Sequence, residues 1–307
     1  MNSELLFIIA VSVVFSVTAH PVSTRMAPRT AAIVYTASAV LIALTSTGLL
    51  AVEGWYAAAR FTPIAHQGGW SSRLLERTSP LPFPTSVLAG TLALAIVVSI
   101  VRLWTKRARE LRTEQRAHRP IGSTGSGEIA VIITDDIDAY AIDGTLATRR
   151  IVLTDALLRE LPDPALQRAV IEHERSHLRH HHLIYRLCVE SAVRANPLLR
   201  PATHVVEHSL EAWADDDAAT ITAPATVATA LATIALTKTR PLHRRVALAI
   251  ANSATVRRIE RLLTPIRPNR IGALVATTMT LSALLALALC CHQTERFFEA
   301  LRTASNA

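Results

Sequence analysis

The stretch Asp163-Pro164-Ala165-Leu166-Gln167-Arg168-Ala169-Val170-Ile171-Glu172-His173-Glu174-Arg175-Ser176-His177 decides how the chain folds. Asp163 is a strong helix N-cap, because its short carboxylate can accept from the free N–H groups of a first turn. Pro164 sits where a missing N–H costs nothing. Downstream, Leu166, Val170, His173, His177, His181 and Ile184 recur every three or four residues and line up one helix face. This predicts a helix from Pro164 that runs on until Asn196-Pro197 interrupts it. Two imidazoles four residues apart share a face of such a helix and can reach one metal ion. Glu174 stands one step from the first of them, so its carboxylate can reach a water beside the metal without ligating it.

A catalytic zinc ion takes three protein ligands and keeps one position open. Glu211, within Glu211-Ala212-Trp213-Ala214-Asp215, is expected to be the third. Asp215 lies one turn on and can accept the distal N–H of a ligating histidine. Glu207, His208 and His204 compete for the same role. The set His173, Glu174 and His177 is the His-Glu-x-x-His zincin arrangement, in which zinc lowers the pKa of a water and the glutamate takes its proton. The run His180, His181 and His182 is expected to be solvated or to face lipid headgroups. Asp216 and Asp217 are expected on a solvated or supporting face, Ser176 has no assigned role, and Cys188 reads as helix core. For the group that stabilises an oxyanion, His204, His208 and Arg194 stay open. Gly122 to Gly127 lacks the Lys-Ser/Thr ending of a phosphate loop and reads as a linker.

Strand signals precede the helix. Ile129–Ile133, Ala139–Ile142 and Arg150–Thr154 are short and rich in β-branched or apolar residues, with Asp143-Gly144 as a turn. After the first helix, further helices are expected at about 202–219, 225–237 and 244–263. The apolar stretch 225–236 is too short to span a bilayer. The resulting unit, 105–266, is an α+β domain: a small sheet followed by helices.

The flanks read differently. Half of the 307 residues are apolar and only 18% are charged, against roughly 25% in an ordinary soluble domain. The apolar residues come in blocks, at about 5–19, 31–52, 85–104 and 271–291. A bilayer core of about 30 Å needs about 20 helical residues, so these are four expected transmembrane helices. The first could be a cleaved leader, since Val17-Thr18-Ala19 resembles a cleavage site, but Met1–Glu4 carries an acid and no base. The expected organisation is a three-helix membrane segment 1–104, the domain 105–266, a fourth span within 267–291 and a short tail 292–307. The fold class is mostly α and polytopic. The three cysteines, Cys188, Cys290 and Cys291, make no disulfide framework.

Basic residues orient the frame. Arg25, Arg29, the group Arg102, Lys106, Arg107, Arg109, Arg112, Arg116 and Arg119, and Arg267 and Arg270 all fall on one side. Only Arg60, Arg73, Arg77, Arg296 and Arg302 fall on the other. The richer side is expected to be cytoplasmic. That puts 105–266 inside a multi-pass plasma-membrane protein, with both termini outside. The 102–119 cluster then serves anionic lipid headgroups; direct nucleic-acid binding is not expected. The spans carry no interior charge pair of the kind that marks an ion path.

The segments Ile151–Leu158, Leu161–His177 and Glu211–Asp215 resemble the antirepressor metallopeptidases of the BlaR/MecR type, a group related to HtpX and CAAX-prenyl-protease-type zinc peptidases. Val256–Leu263 is similar to the Arg-rich helix that follows their zinc site. The resemblance covers about 130–265 well and the four-span frame loosely. It implies one zinc per chain on His173, His177 and Glu211, with Glu174 as catalytic acid/base and Asp215 supporting the site. It also implies a zinc metalloendopeptidase that cuts a protein substrate, a winged-helix transcriptional repressor. A membrane quality-control protease and a non-catalytic sensor are the other readings, and homodimerisation stays open. The antibiotic-sensing members carry a penicillin-binding domain after the last span. Here 292–307 stands in its place, so acylation by a β-lactam is not expected. A signal would enter through the 53–84 loop, the spans or a partner.

Overall fold

Apolar runs and good helix formers dictate long helices at the chain's start. The computed structural model describes residues 3–78, 81–117, 128–142, 149–238, 245–264 and 270–305. Helix α1 is Ser3–Ser23, α2 is Pro28–Arg60, α3 is Thr62–Gly68, α4 is Ser72–Thr78 and α5 is Phe83–Ala117. Among the described residues, three stretches are long and apolar enough to cross a membrane: Leu6–Ser23, Pro28–Arg60 and Phe83–Thr113. Each helix outruns its apolar block. Pro28 starts α2 from its first turn, where proline is tolerated, and the helix reaches Arg60. The charged stretch from Lys106 is not a separate helix but continues α5, helped by pairs of Lys106 and Arg107 with Glu110. At 35 residues, α5 is about 52 Å long, more than a bilayer core needs. Its lower part therefore projects as a rod beside the following domain. Helices α2 and α5 meet backbone to backbone: a Cβ added at Gly54 would lie 2.5 Å from the Cα of Gly90. The extra turns of α2 carry Glu53 and Arg60, linked through the Ser86 hydroxyl of α5.

Among the described residues the sheet has three strands, β1 (Ile129–Ile132), β2 (Ala139–Ile142) and β3 (Arg150–Thr154), in the order β1-β3-β2. β3 is central, parallel to β1 and antiparallel to β2, with Val152 opposite both Ala130 and Tyr140. Ile151, Val152 and Leu153 are buried, while β2 forms an edge. The expected linker at Gly122–Gly127 and turn at Asp143-Gly144 lie outside the described residues. The helices that follow are α6 (Asp155–Glu160), α7 (Pro164–Arg179), α8 (His182–Ala195), α9 (Arg200–Ile221), α10 (Pro224–Lys238), α11 (Arg245–Leu263) and α12 (Arg270–Ser305). The Asp163 cap forms as expected, its Oδ1 accepting from Ala165 N at 2.8 Å.

The single helix expected from Pro164 to Asn196 does not form. It breaks at His180 and His181, where His181 takes a left-handed φ of 54°. That conformation ends an L-residue helix, so α8 starts on a new axis and its phase differs from that of α7.

Two of the apolar cores among the described residues position the later helices. One joins β3, α6, α7 and α10 through Ile151, Leu157, Val170 and Val227. The other joins α1 and α2 to α8 and α9 through Phe15, Tyr35, Ile42, Val189, Val206 and Leu210. The α8–α9 turn inserts beside the spans: Asn196 Nδ2 donates to Ser12 Oγ at 2.9 Å and to Ser46 Oγ at 3.2 Å. Ser46 lies about 27 Å along α2 from Pro28. Trp104 and Ser99 of α5 also bond Ser191 and Arg194 of α8. The fourth expected span, 271–291, lies in α12. That helix continues through the expected tail and packs Phe297 edge-on against Tyr56 at 4.8 Å.

Candidate metal centre and its cleft

α7 presents His173 and His177, and α9 presents Glu211 across from them. One donor atom from each lies within 4.8 Å of the others. The Nε2 atoms of the two histidines are 3.2 Å apart. Glu211 Oε2 is 3.5 Å from His173 Nε2, and Glu211 Oε1 is 3.6 Å from His177 Nε2. A tetrahedral zinc with ligand bonds of 2.0–2.1 Å needs donors roughly 3.3–3.4 Å apart. The three residues therefore fit the ion. The competing ligands do not join them: His204 and Glu207 are exposed, and His208 is half-buried outside the cluster.

The supporting residues are more numerous than the sequence pattern showed. Asp215 is completely buried, with Oδ1 3.0 Å from His173 Nδ1. Its charge is met by Arg258 of α11, which donates from Nε and Nη2 at 2.7 and 2.6 Å. Arg258 Nη1 also lies 3.2 Å from Glu211, and Arg186 Nη2 donates to Glu211 Oε1 at 2.7 Å. Arg261 bonds Asp216 and the Ala212 carbonyl, each at 2.7 Å. Ser176, given no role by the sequence, is fully buried and donates to Asp217 at 2.7 Å; His180 reaches the same oxygen at 2.9 Å.

His182 departs furthest from expectation. It is not solvated but 1% exposed, packed on Trp213, with Nδ1 2.6 Å from His177 Nδ1. Burial holds His177 down to about 3 and His182 down to about 4, with neighbouring positive charges adding to the effect, so both rings are neutral. A neutral pair at this distance leaves one hydrogen between the two Nδ1 atoms. Placed on His177, it leaves His177 Nε2 bare for a metal. Asp215 thus stands against Nδ1 of one histidine of the cluster and His182 against Nδ1 of the other. The break at His181 swings His182 back onto α7, and a continuous helix would not. Replacing His182 with Phe keeps a ring on Trp213 but removes the acceptor. Zinc affinity of the full chain, measured by competition with a chelating dye, is expected to fall about 10–100-fold; an unchanged affinity would remove His182 from the site.

Electrostatics separate the roles. Burial would lower His173, but the Asp215 and Glu211 carboxylates more than reverse this, to about 9. Burial would raise Glu211, and its bond to His173 with Arg258 nearby holds it far below the ordinary range. Glu174 is pushed the other way, to about 7, chiefly by burial. The site thus holds two acids of opposite character, one held ionised and one poised near neutrality.

Glu174 opens on a cleft of about 410 Å³. Its walls are Ala139, Tyr140 and Ala141 of β2, His177 of α7, Arg186 of α8 and Arg107 of α5. None of His204, His208 and Arg194 borders it; the cations that do are Arg107 and Arg186. No curated protein and no solved structure gives a match to the chain. Residues 105–248 match the family model described as peptidase family M48, whose members are zinc-dependent. That span contains the sheet, the α7 histidines with Glu174, and Glu211 of α9. Together with the apolar helices, it supports a membrane-associated metallopeptidase.

Proposed function

We propose that the chain is an integral-membrane zinc endopeptidase that hydrolyses a peptide bond with Glu174 as general base. The observation that carries this is the spacing of His173, His177 and Glu211, which fits a tetrahedral ion, beside a half-buried Glu174 and the edge strand β2. When bound, zinc supplies a Lewis acid that activates water and polarises a carbonyl. The chain's own residues do the rest. An extended substrate pairs with the outer edge of β2, which fixes its carbonyl in the cleft. Glu174 takes the proton of the attacking water and passes it to the leaving amine. Asp215 and His182 hold the two imidazoles in the tautomer that leaves Nε2 free.

The substrate we propose is a cytoplasmic winged-helix transcriptional repressor, cut in a signalling response. Its support is the resemblance of 151–177 and 211–215 to antirepressor peptidases. The excess of basic residues on one side supports a plasma-membrane protein with this segment facing the cytoplasm. One observation favours a second reading, membrane-protein quality control. The cleft is bordered by Arg107, Glu110 and Leu111, near the end of the α5 stretch Phe83–Thr113 that is long and apolar enough to cross a membrane, so polypeptide leaving a bilayer could reach it. Co-expression with a winged-helix repressor encoded beside the gene separates the two. A single repressor cut, lost in Glu174→Gln, is expected. An intact repressor with misassembled membrane proteins stabilised by Glu174→Gln would favour quality control. Reporter fusions at 120 and 307 should report opposite sides.

A further inference from the structure

Contacts from α2, the end of α7 and the start of α8 converge on one indole of α9. Trp213 lies two residues after Glu211 and two before Asp215. Two residues are a little over half a helical turn, so its ring points away from the side that carries those acids. It is 5% exposed, stacks on His180 at 4.4 Å between ring centroids and meets His182 at 4.9 Å. His182 in turn reaches His177 Nδ1 at 2.6 Å. The remaining contact comes from the membrane frame. Cζ of Arg29, the second residue of α2, stands over the Trp213 ring at 5.3 Å from its centre. The face of an indole is electron-rich, and a planar guanidinium over it is held by that charge and by stacking.

The same helix grips α8 at its far end. Ser46 Oγ of α2 accepts from Asn196, the residue that follows α8. Arg29 and Ser46 are about 26 Å apart along α2, and the 14 residues of α8 make it about 21 Å long. α2 therefore runs beside the whole of α8, with one polar anchor near each end.

We infer that Arg29 is a positioning residue of the metal centre: from the first turn of the span α2 it holds the Trp213 ring, which keeps His182 against His177 and so sets the affinity for zinc. The inference rests on the reading of His173, His177 and Glu211 as a zinc site. In the sequence Arg29 counts only among the bases that orient the frame. That duty asks for a positive charge at the membrane boundary and does not call for a guanidinium over a ring that backs His182. The hydrogen between the Nδ1 atoms of His182 and His177 is what leaves His177 Nε2 bare for a metal. An indole that loses its cation is freer to tilt, and that freedom passes to His182. Zinc affinity then falls although every ligand is still present.

The test is a double-mutant cycle on the full chain in detergent, read as zinc affinity by competition with a chelating dye. Arg29→Leu is expected to weaken zinc binding about 3–10-fold. Arg29→Lys, which keeps a cation over the ring, should restore most of the loss. Arg25→Leu removes the same charge from the same side of the frame and should leave the affinity unchanged. In a His182→Phe background, where the link to His177 is already cut, Arg29→Leu should cost less than about 1.5-fold more. If leucine prevents folding, Arg29→Gln keeps a polar group at the boundary and repeats the cycle. An affinity unmoved by both Arg29→Leu and Arg29→Gln overturns the inference. So does an equal loss with and without His182, which would show that Arg29 acts by another route; either result leaves the metal site intact. A wild-type chain that binds no zinc overturns the site itself, and the inference with it.

Discussion

Glu174→Gln in the zinc-loaded chain is expected to slow peptide hydrolysis by about 10²–10⁴-fold while zinc stays bound. Glutamine keeps the length and shape of the side chain and removes its basicity. The three residues whose donors cluster are His173, His177 and Glu211, so the substitution takes no ligand away. Burial holds the carboxyl near 7 without a metal. A dication beside it favours the ionised form and lowers that value, so the acid limb of the kcat/KM profile should fall below pH 7 and vanish in the variant. Rate and metal content measured on the same preparation check this. A variant as fast as wild type would show that Glu174 is not the base and would bring forward the non-catalytic sensor.

The double variant His173→Ala/His177→Ala is expected to lose bound zinc entirely, from one ion per chain to none. Glu211 alone offers one carboxylate, and its charge is already met by Arg186 and Arg258. Because a metal bound only to the folded state stabilises it by mass action, chelation should lower the unfolding temperature of the wild type and leave that of the variant unchanged. Full stoichiometry in the variant, by elemental analysis, would place the metal elsewhere.

What the sequence made legible was local. The Asp163-Pro164 cap, the four-residue spacing of His173 and His177, and Asp215 one turn after Glu211 all follow from helix periodicity, which needs no knowledge of the rest of the chain. The ends of α9, α10 and α11 fell within a few residues of expectation for the same reason. His182 was not legible. A run of three histidines reads as polar surface, and only the left-handed turn at His181 buries the third. Arg258 escaped because its partner Asp215 is far away in sequence, although the Arg-rich character of α11 was a visible signal. The insertion of the α8–α9 turn among the spans was masked by composition. Arg186, Glu190 and Arg194 make α8 look like a soluble helix, whereas Leu187, Val189 and Ala192 on its other face are buried. The charged extension of α5 was not legible as part of the third span, because its composition changes at Lys106 where its backbone does not.

The central claim, that His173, His177 and Glu211 hold a zinc used by Glu174 to hydrolyse peptides, is tested most directly by one titration. The purified full chain is stripped with a chelator and zinc is returned in steps, while cleavage of a leucine-containing fluorogenic peptide is followed in wild type and Glu174→Gln side by side. The account predicts that wild-type activity disappears with the metal and returns to a plateau at one equivalent of zinc, and that Glu174→Gln binds the same equivalent without regaining the rate. Activity that survives stripping, or that returns equally in both proteins, would contradict it.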